Sequence, residues 1–196
     1  MTKTCKEHGF QKVLIADDIT WYKQIRNYNK ASEYPRKPHT TTSFGCPYDC
    51  GICPDHEQHS CLTLIEVTDR CNLTCPTCYA LSSPTHGSHR SLAEIEMMLN
   101  VIVASEGEPD VVQLSGGEPT IHPQIFEILD LAKARPIKHL MLNTNGIRIA
   151  NDFAFAERLA TYMPDFEIYL QWDSFEEKAL NSLRGKDLRA QRMKAM

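Results

Sequence analysis

The sequence predicts an α/β protein made of parallel βα units, the first part of a TIM-type (β/α)6 barrel left incomplete, preceded by a Cys-rich metal-binding N-terminal segment. Two observations predict it. Short apolar, β-branched runs alternate with helix-length amphipathic stretches from residue 62 onward, and seven of the eight cysteines crowd between Cys46 and Cys78. A parallel strand can return to its sheet only through a crossover, so strands alternating with helices indicate βαβ units.

Leu62-Thr63-Leu64-Ile65-Glu66-Val67 is the first strand, and Thr68-Asp69-Arg70 closes it just before a cysteine group. Ser91 and Glu94 form a capping box, behind which Leu92, Ile95, Met98, Leu99 and Ile102 recur at helical spacing. Val111 to Leu114 then reads as strand, Pro123 to Ala134 as helix and Leu140 to Asn143 as strand. Asp152 to Tyr162 is a helix, Glu167 to Leu170 the fourth strand, and Phe175 to Leu183 the closing helix. Four such units leave a sheet with an uncovered edge. No terminating strand follows in Arg189 to Met196, so the chain reads as a fragment of a larger domain. Residues 1–61 are assigned to the Cys-rich segment and 62–196 to the βα domain. Within the former, residues 1 to about 45 are polar and mixed and end in an extended linker around Tyr34-Pro35-Arg36-Lys37-Pro38-His39.

Composition removes several functions. A net charge of −4 offers no basic face for a phosphate backbone, so nucleic acid is excluded as the primary partner. The polar N-terminus lacks a secretory core, and no apolar run approaches the roughly 20 residues that span a bilayer. The expected location is the cytoplasm, where disulfides rarely persist and clustered cysteines indicate metal binding or catalysis.

Cys71-Asn72-Leu73-Thr74-Cys75-Pro76-Thr77-Cys78-Tyr79 places three thiols in eight residues at the uneven spacing Cys-x3-Cys-x2-Cys. A helix cannot aim all three at one centre. A loop can wrap a cubane, ligate three irons and leave the fourth open to the amino and carboxylate groups of a small molecule. The competing reading is zinc, since Cys50-x2-Cys53 and Cys75-x2-Cys78 make two knuckles separated by 21 residues. Zinc leaves Cys46, Cys61 and Cys71 unused.

On this spacing and the aromatic Tyr79 that follows it, the sequence resembles the radical S-adenosylmethionine (SAM) superfamily. The resemblance implies a [4Fe-4S] cluster on Cys71, Cys75 and Cys78 that passes one electron to the sulfonium of SAM. SAM then splits into methionine and a 5′-deoxyadenosyl radical, which abstracts hydrogen from substrate. An electron donor such as ferredoxin or flavodoxin is implied, and the backbone at Tyr79 is expected beside the adenine.

A second signal is independent of cysteine. Val111 to Leu114 runs through Ser115 into Gly116-Gly117-Glu118-Pro119, a turn whose glycines allow unusual backbone angles and close approach of a ligand. By itself it is an ordinary βα turn with Glu118 solvated. By resemblance it is the Gly-Gly-Glu-Pro motif of the family, matched at all four residues and facing the amino group of SAM. By the same resemblance Thr144 and Asn145, within Leu142-Asn143-Thr144-Asn145-Gly146, face the ribose and methionine, and Gln171 and Asp173 do likewise. Their alternative is turn formation and helix capping.

Cys46, Cys50, Cys53 and Cys61 supply four more thiolates, enough to close a second cubane or a tetrahedral zinc site. His56 and His59 lie in the same loop. Cys5-Lys6-Glu7-His8-Gly9 looks like one knuckle of a rubredoxin-like or zinc-ribbon site whose partner is missing, so Cys5 and His8 form a half site. The run from Gly45 to Tyr79, with Ser182-Leu183-Arg184-Gly185-Lys186-Asp187-Leu188, is similar to a narrower branch. It contains archaeal tetraether lipid synthases and class D radical SAM methyltransferases acting on pterins. That branch implies alkylation, methylation or C–C coupling of a small-molecule or lipid substrate. Alternatives are a zinc-ribbon binding module without catalysis and a truncated, inactive homologue.

Overall fold

The computed structural model describes residues 1–27, 34–45, 48–49, 51–54, 56 and 58–196, which form two compact units, Met1–Glu33 and Tyr34–Met196. The first holds an antiparallel hairpin of β1 (Thr2–Cys5) and β2 (Gly9–Lys12), followed by helix α1 (Ile19–Gln24). This order was not expected from a polar, aperiodic stretch. The two strands are exposed on both faces, so they carry no alternation for a pattern to detect. Asp18 caps α1 by accepting from the Thr20 and Trp21 amides.

The second unit is built on a four-stranded parallel sheet in the order β3 (Leu62–Thr68), β4 (Val111–Gly116), β5 (His139–Thr144) and β6 (Phe166–Leu170). Four helices alternate with these strands: α2 (Leu92–Glu106), α3 (Ile125–Lys133), then α4 (Ile147–Asn151) and α5 (Phe153–Ala160) together. Helices α6 (Glu177–Arg184) and α7 (Arg189–Ala195) follow β6. All four expected strands are present, each one or two residues longer than its apolar run. The expected Ser91 capping box is formed, and Gly107 ends α2 at φ 74°. Helices α4 and α7 were not expected.

One sheet face is the core. Ile65, Val67, Val112, Leu114, Leu140, Leu142 and Phe166 pack with Ile95, Leu99, Ile128, Leu129, Phe155 and Leu159 from the helices. Since side chains alternate along a strand, the residues between them belong to the other face. That face is open: Leu64 is 56% exposed and Tyr169 52%. Its polar residues gather at the C-terminal strand ends, where α/β sheets place their ligands. No helix among the described residues is long and apolar enough to cross a membrane.

Candidate active site

Cys71, Cys75 and Cys78 line one cavity of about 260 Å³ at the C-terminal end of the sheet. The loop that carries them starts where β3 ends. Its turn is closed by the Cys78 amide donating to the Cys75 carbonyl at 3.1 Å, and the Cys71 amide donates to Ser83. Leu73 and Leu188 pack against Cys71 beneath the loop. Burial pushes the Cys71 thiol up to about 11, with the Glu118, Cys75 and Cys78 charges adding to it, so an assembling metal must displace that proton.

Among the described residues no three His, Cys, Asp or Glu side chains converge closely enough for a single metal ion. A cubane differs, because each thiolate occupies its own corner. Three sulfurs ranged around one cavity, with no fourth thiol lining it among the described residues, therefore fit a three-ligated cluster.

The Gly-Gly turn is the opposite wall. Gly116 has φ +122°, and a Cβ there would stand 2.2 Å from the Thr68 carbonyl oxygen; at Gly117 it would stand 2.2 Å from that of Arg70. The Gly117 and Glu118 amides donate to Thr68 and Arg70 at 2.8 and 2.9 Å. These two N–H groups thus join the turn to the base of the cysteine loop and are not free for a ligand.

Of the residues the resemblance singled out, Tyr79, Gly116, Gly117, Asn145, Gln171 and Asp173 line the cavity with the cysteines. Glu118, Pro119 and Thr144 do not. They are buried behind it, and Glu118 is 0% exposed rather than a solvated turn residue. One Glu118 oxygen accepts from the Thr120 amide and hydroxyl at 3.1 and 2.6 Å and from the Thr144 hydroxyl at 2.7 Å; the other accepts from the Asn145 amide at 2.8 Å. The carboxylate braces the end of β4 to the end of β5. Asn145 extends the brace by donating to the Asn72 side chain at 2.7 Å, inside the cysteine loop. Burial raises the Glu118 pKa, against the pull of the hydrogen bonds from Asn145, Thr120 and Thr144. Glu118→Ala would leave those donors unmet and should cost about 3 kcal/mol in urea unfolding, with Glu118→Gln falling between it and wild type.

Pattern reading missed Ser115 and Arg184, which line the cavity together with Asn143 of the expected run 142–146. The signal was strand alternation, which puts Asn143 on the open face and Thr144 on the core face. Asn143 donates to the Ser115 hydroxyl at 3.2 Å and accepts from Gln171 at 3.0 Å, and Gln171 in turn accepts from Arg184 at 3.0 Å. Arg184 grips Asp173 at 2.6 and 2.8 Å, and Arg192 reaches the same carboxylate at 2.8 Å.

The Arg184 hydrogen bond, followed by Arg192, lowers Asp173 from 3.8 to about 2. A depressed carboxylate contributes its stability in full above its unfolded value and loses it as pH falls through its folded value. Asp173 should supply about 2 kcal/mol that disappears between pH values of about 4 and 2. Chemical unfolding of Asp173→Asn across that window should lose this part of the acid dependence.

The remaining candidates lie elsewhere. Cys46 and Cys50 fall outside the described residues; Cys53 is buried and Cys61 exposed. His59 sits 3.5 Å from Glu106 and 3.8 Å from Asp110, and the His56 amide donates to the Cys53 carbonyl at 3.0 Å. In the first unit the Cys5 sulfur lies 3.3 Å from His8 Nδ1 across the hairpin turn. Backbone N–H groups of His8 and Glu7 lower the Cys5 pKa.

Residues 65–196 match the model of the Radical SAM superfamily. The chain is 35% identical over 187 residues to the 7,8-dihydro-6-hydroxymethylpterin dimethyltransferase of Methanocaldococcus jannaschii, covering 95% of this chain and 36% of that protein. It is 32% identical over 108 residues to the GTP 3′,8-cyclase of Syntrophomonas wolfei, covering 54% of this chain and 32% of the relative. The chain thus spans about a third of these curated relatives. Among solved structures, Streptococcus suis SuiB bound to S-adenosylmethionine superposes with a TM-score of 0.54 at 20% identity, over 69% of this chain and 30% of that one. That likeness is one of fold. With the family model matched from the first sheet strand to the last residue, the chain belongs to the radical SAM superfamily.

Proposed function

We propose that Cys71, Cys75 and Cys78 hold a [4Fe-4S] cluster and that the protein cleaves SAM reductively to methylate, alkylate or couple a carbon centre. The observation that carries this reading is the single cavity shared by three cysteines, the glycine turn and the strand-end polar row. When bound, the cluster supplies one electron to the sulfonium of SAM, releasing a 5′-deoxyadenosyl radical. The residues present do the rest. Gly116 and Gly117 form the wall that seats the cysteine loop, and Ser115, Asn143 and Gln171 offer hydroxyl and amide partners already fixed by one another. Leu73, Ala80 and Leu183 line the same cavity with apolar surface.

The pterin methyltransferase relative makes a pterin-like small molecule the favoured substrate class, ahead of a lipid. In this reading residues 1–61 are a Cys-rich N-terminal segment with a second metal site on Cys46, Cys50, Cys53 and Cys61, an iron–sulfur cluster in preference to zinc. The parallel sheet belongs to a partial (β/α)6 barrel, and a cytoplasmic ferredoxin or flavodoxin delivers the electron.

The test is anaerobic reconstitution with iron and sulfide, followed by dithionite and SAM. Iron and acid-labile sulfide at cluster stoichiometry, a spectral change on adding SAM, and 5′-deoxyadenosine are expected. Stoichiometric zinc without sulfide after anaerobic purification would overturn the reading in favour of a zinc module.

A further inference from the structure

The row of polar residues at the strand ends terminates in a cluster of charged side chains around Asp173. Arg184, the last residue of α6, is held on three sides. Its Nε and Nη2 donate to the two oxygens of Asp173 at 2.8 and 2.6 Å, and its Nη1 donates to Gln171 at 3.0 Å. Arg192 donates to the same Asp173 at 2.8 Å and is 0% exposed, and its Nε and Nη1 are buried without a hydrogen-bond partner. Two guanidinium groups thus share one carboxylate, which leaves one positive charge uncompensated within this group.

That surplus lies against the cysteine loop. Arg184 and Cys75 line the same cavity, and the Asp173 carboxylate, with a smaller part from the Cys75 sulfur, raises the Arg184 pKa. The loop is tied to α6, since the Thr77 hydroxyl donates to the Leu183 carbonyl at 3.0 Å. Beside it, a Cβ on Gly185, which has φ +71°, would lie 3.2 Å from the Thr74 carbonyl oxygen. Among the described residues the buried acid is Glu118, whose charge adds to the burial that raises the Cys71 pKa.

We infer that Arg184, oriented by Asp173, is a positioning residue that makes the centre held by Cys71, Cys75 and Cys78 easier to reduce. Adding an electron beside a fixed cation is favourable, because the cation stabilises the added negative charge. Asp173 opposes Arg184 electrostatically while holding it in place, so the two side chains should move the midpoint potential in opposite directions. This inference rests on the cluster assignment above.

The experiment is an EPR-monitored potentiometric titration of the full 196-residue chain, reconstituted anaerobically, with dithionite as the one-electron reductant. Arg184→Gln should shift the midpoint to more negative potential at unchanged iron and sulfide content, Arg184→Lys should restore most of the shift, and Asp173→Asn should move it to more positive potential. Unchanged potentials in Arg184→Gln and Asp173→Asn would overturn the inference. So would shifts of the same sign, which would mean that both act through loop geometry. If Arg184→Gln fails to hold a cluster, Asp173→Asn decides, and anything other than a positive shift overturns it. A wild-type chain that assembles no cluster rejects the site assignment itself, a result distinct from a cluster whose potential ignores Arg184.

Discussion

Cys75→Ala is expected to reduce iron and acid-labile sulfide at the proposed cluster site to background and to abolish 5′-deoxyadenosine formation, while far-UV circular dichroism stays that of the wild type. Three thiolates are the minimum that grips a cubane with one corner open, and two give up the chelate on which cluster retention depends. The fold should survive because Cys75 is only half-buried at the cavity wall and packs marginally against Leu73 and Leu188. Cys78→Ala should behave alike. Cys71→Ala should lose the cluster and some stability as well, since Cys71 is buried against those two leucines. A Cys75→Ala protein that kept full sulfide and product would reject the ligand assignment.

Gly117→Ala is expected to be the most damaging substitution of a non-cysteine residue at the site, with more than about 4 kcal/mol lost or no folded protein recovered. The added methyl would stand 2.2 Å from the Arg70 oxygen and 2.6 Å from its carbonyl carbon, both main-chain atoms that no rotamer change can move. Relief requires parting the turn from the cysteine loop and breaking the amide bonds from Gly117 to Thr68 and from Glu118 to Arg70. The cavity wall and the metal loop would fail together. Chemical denaturation and iron content are the measurements, and near-wild-type stability would show that this junction is soft.

The sheet was legible because its strands are apolar runs in a chain otherwise broken by charge, and because the capping box at Ser91 and Glu94 marks where a crossover begins. The cysteine spacing and the glycine pair were legible because each is local. The roles of Glu118 and Asp173 were not, since a carboxylate next to a turn looks solvated until its partners are known. Those partners, Thr144 and Asn145 for one and Arg184 and Arg192 for the other, are 11 to 27 residues away along the chain. The N-terminal hairpin escaped notice because strands of four residues with no buried face carry no periodicity. Helix α7 escaped because Arg189-Ala190-Gln191-Arg192-Met193-Lys194 reads as a solvated basic end, although Arg192 is fully buried.

The sequence by itself determined the class of fold, the order of its units and the crowding of cysteines after β3, since hydrophobic period and residue spacing act over a few residues. Only the tertiary structure decided which polar residues face the cavity and which brace it from behind. In a parallel sheet that division depends on strand register and on crossovers of twenty residues or more, which bring Ser115, Asn143, Gln171 and Arg184 into one hydrogen-bonded row.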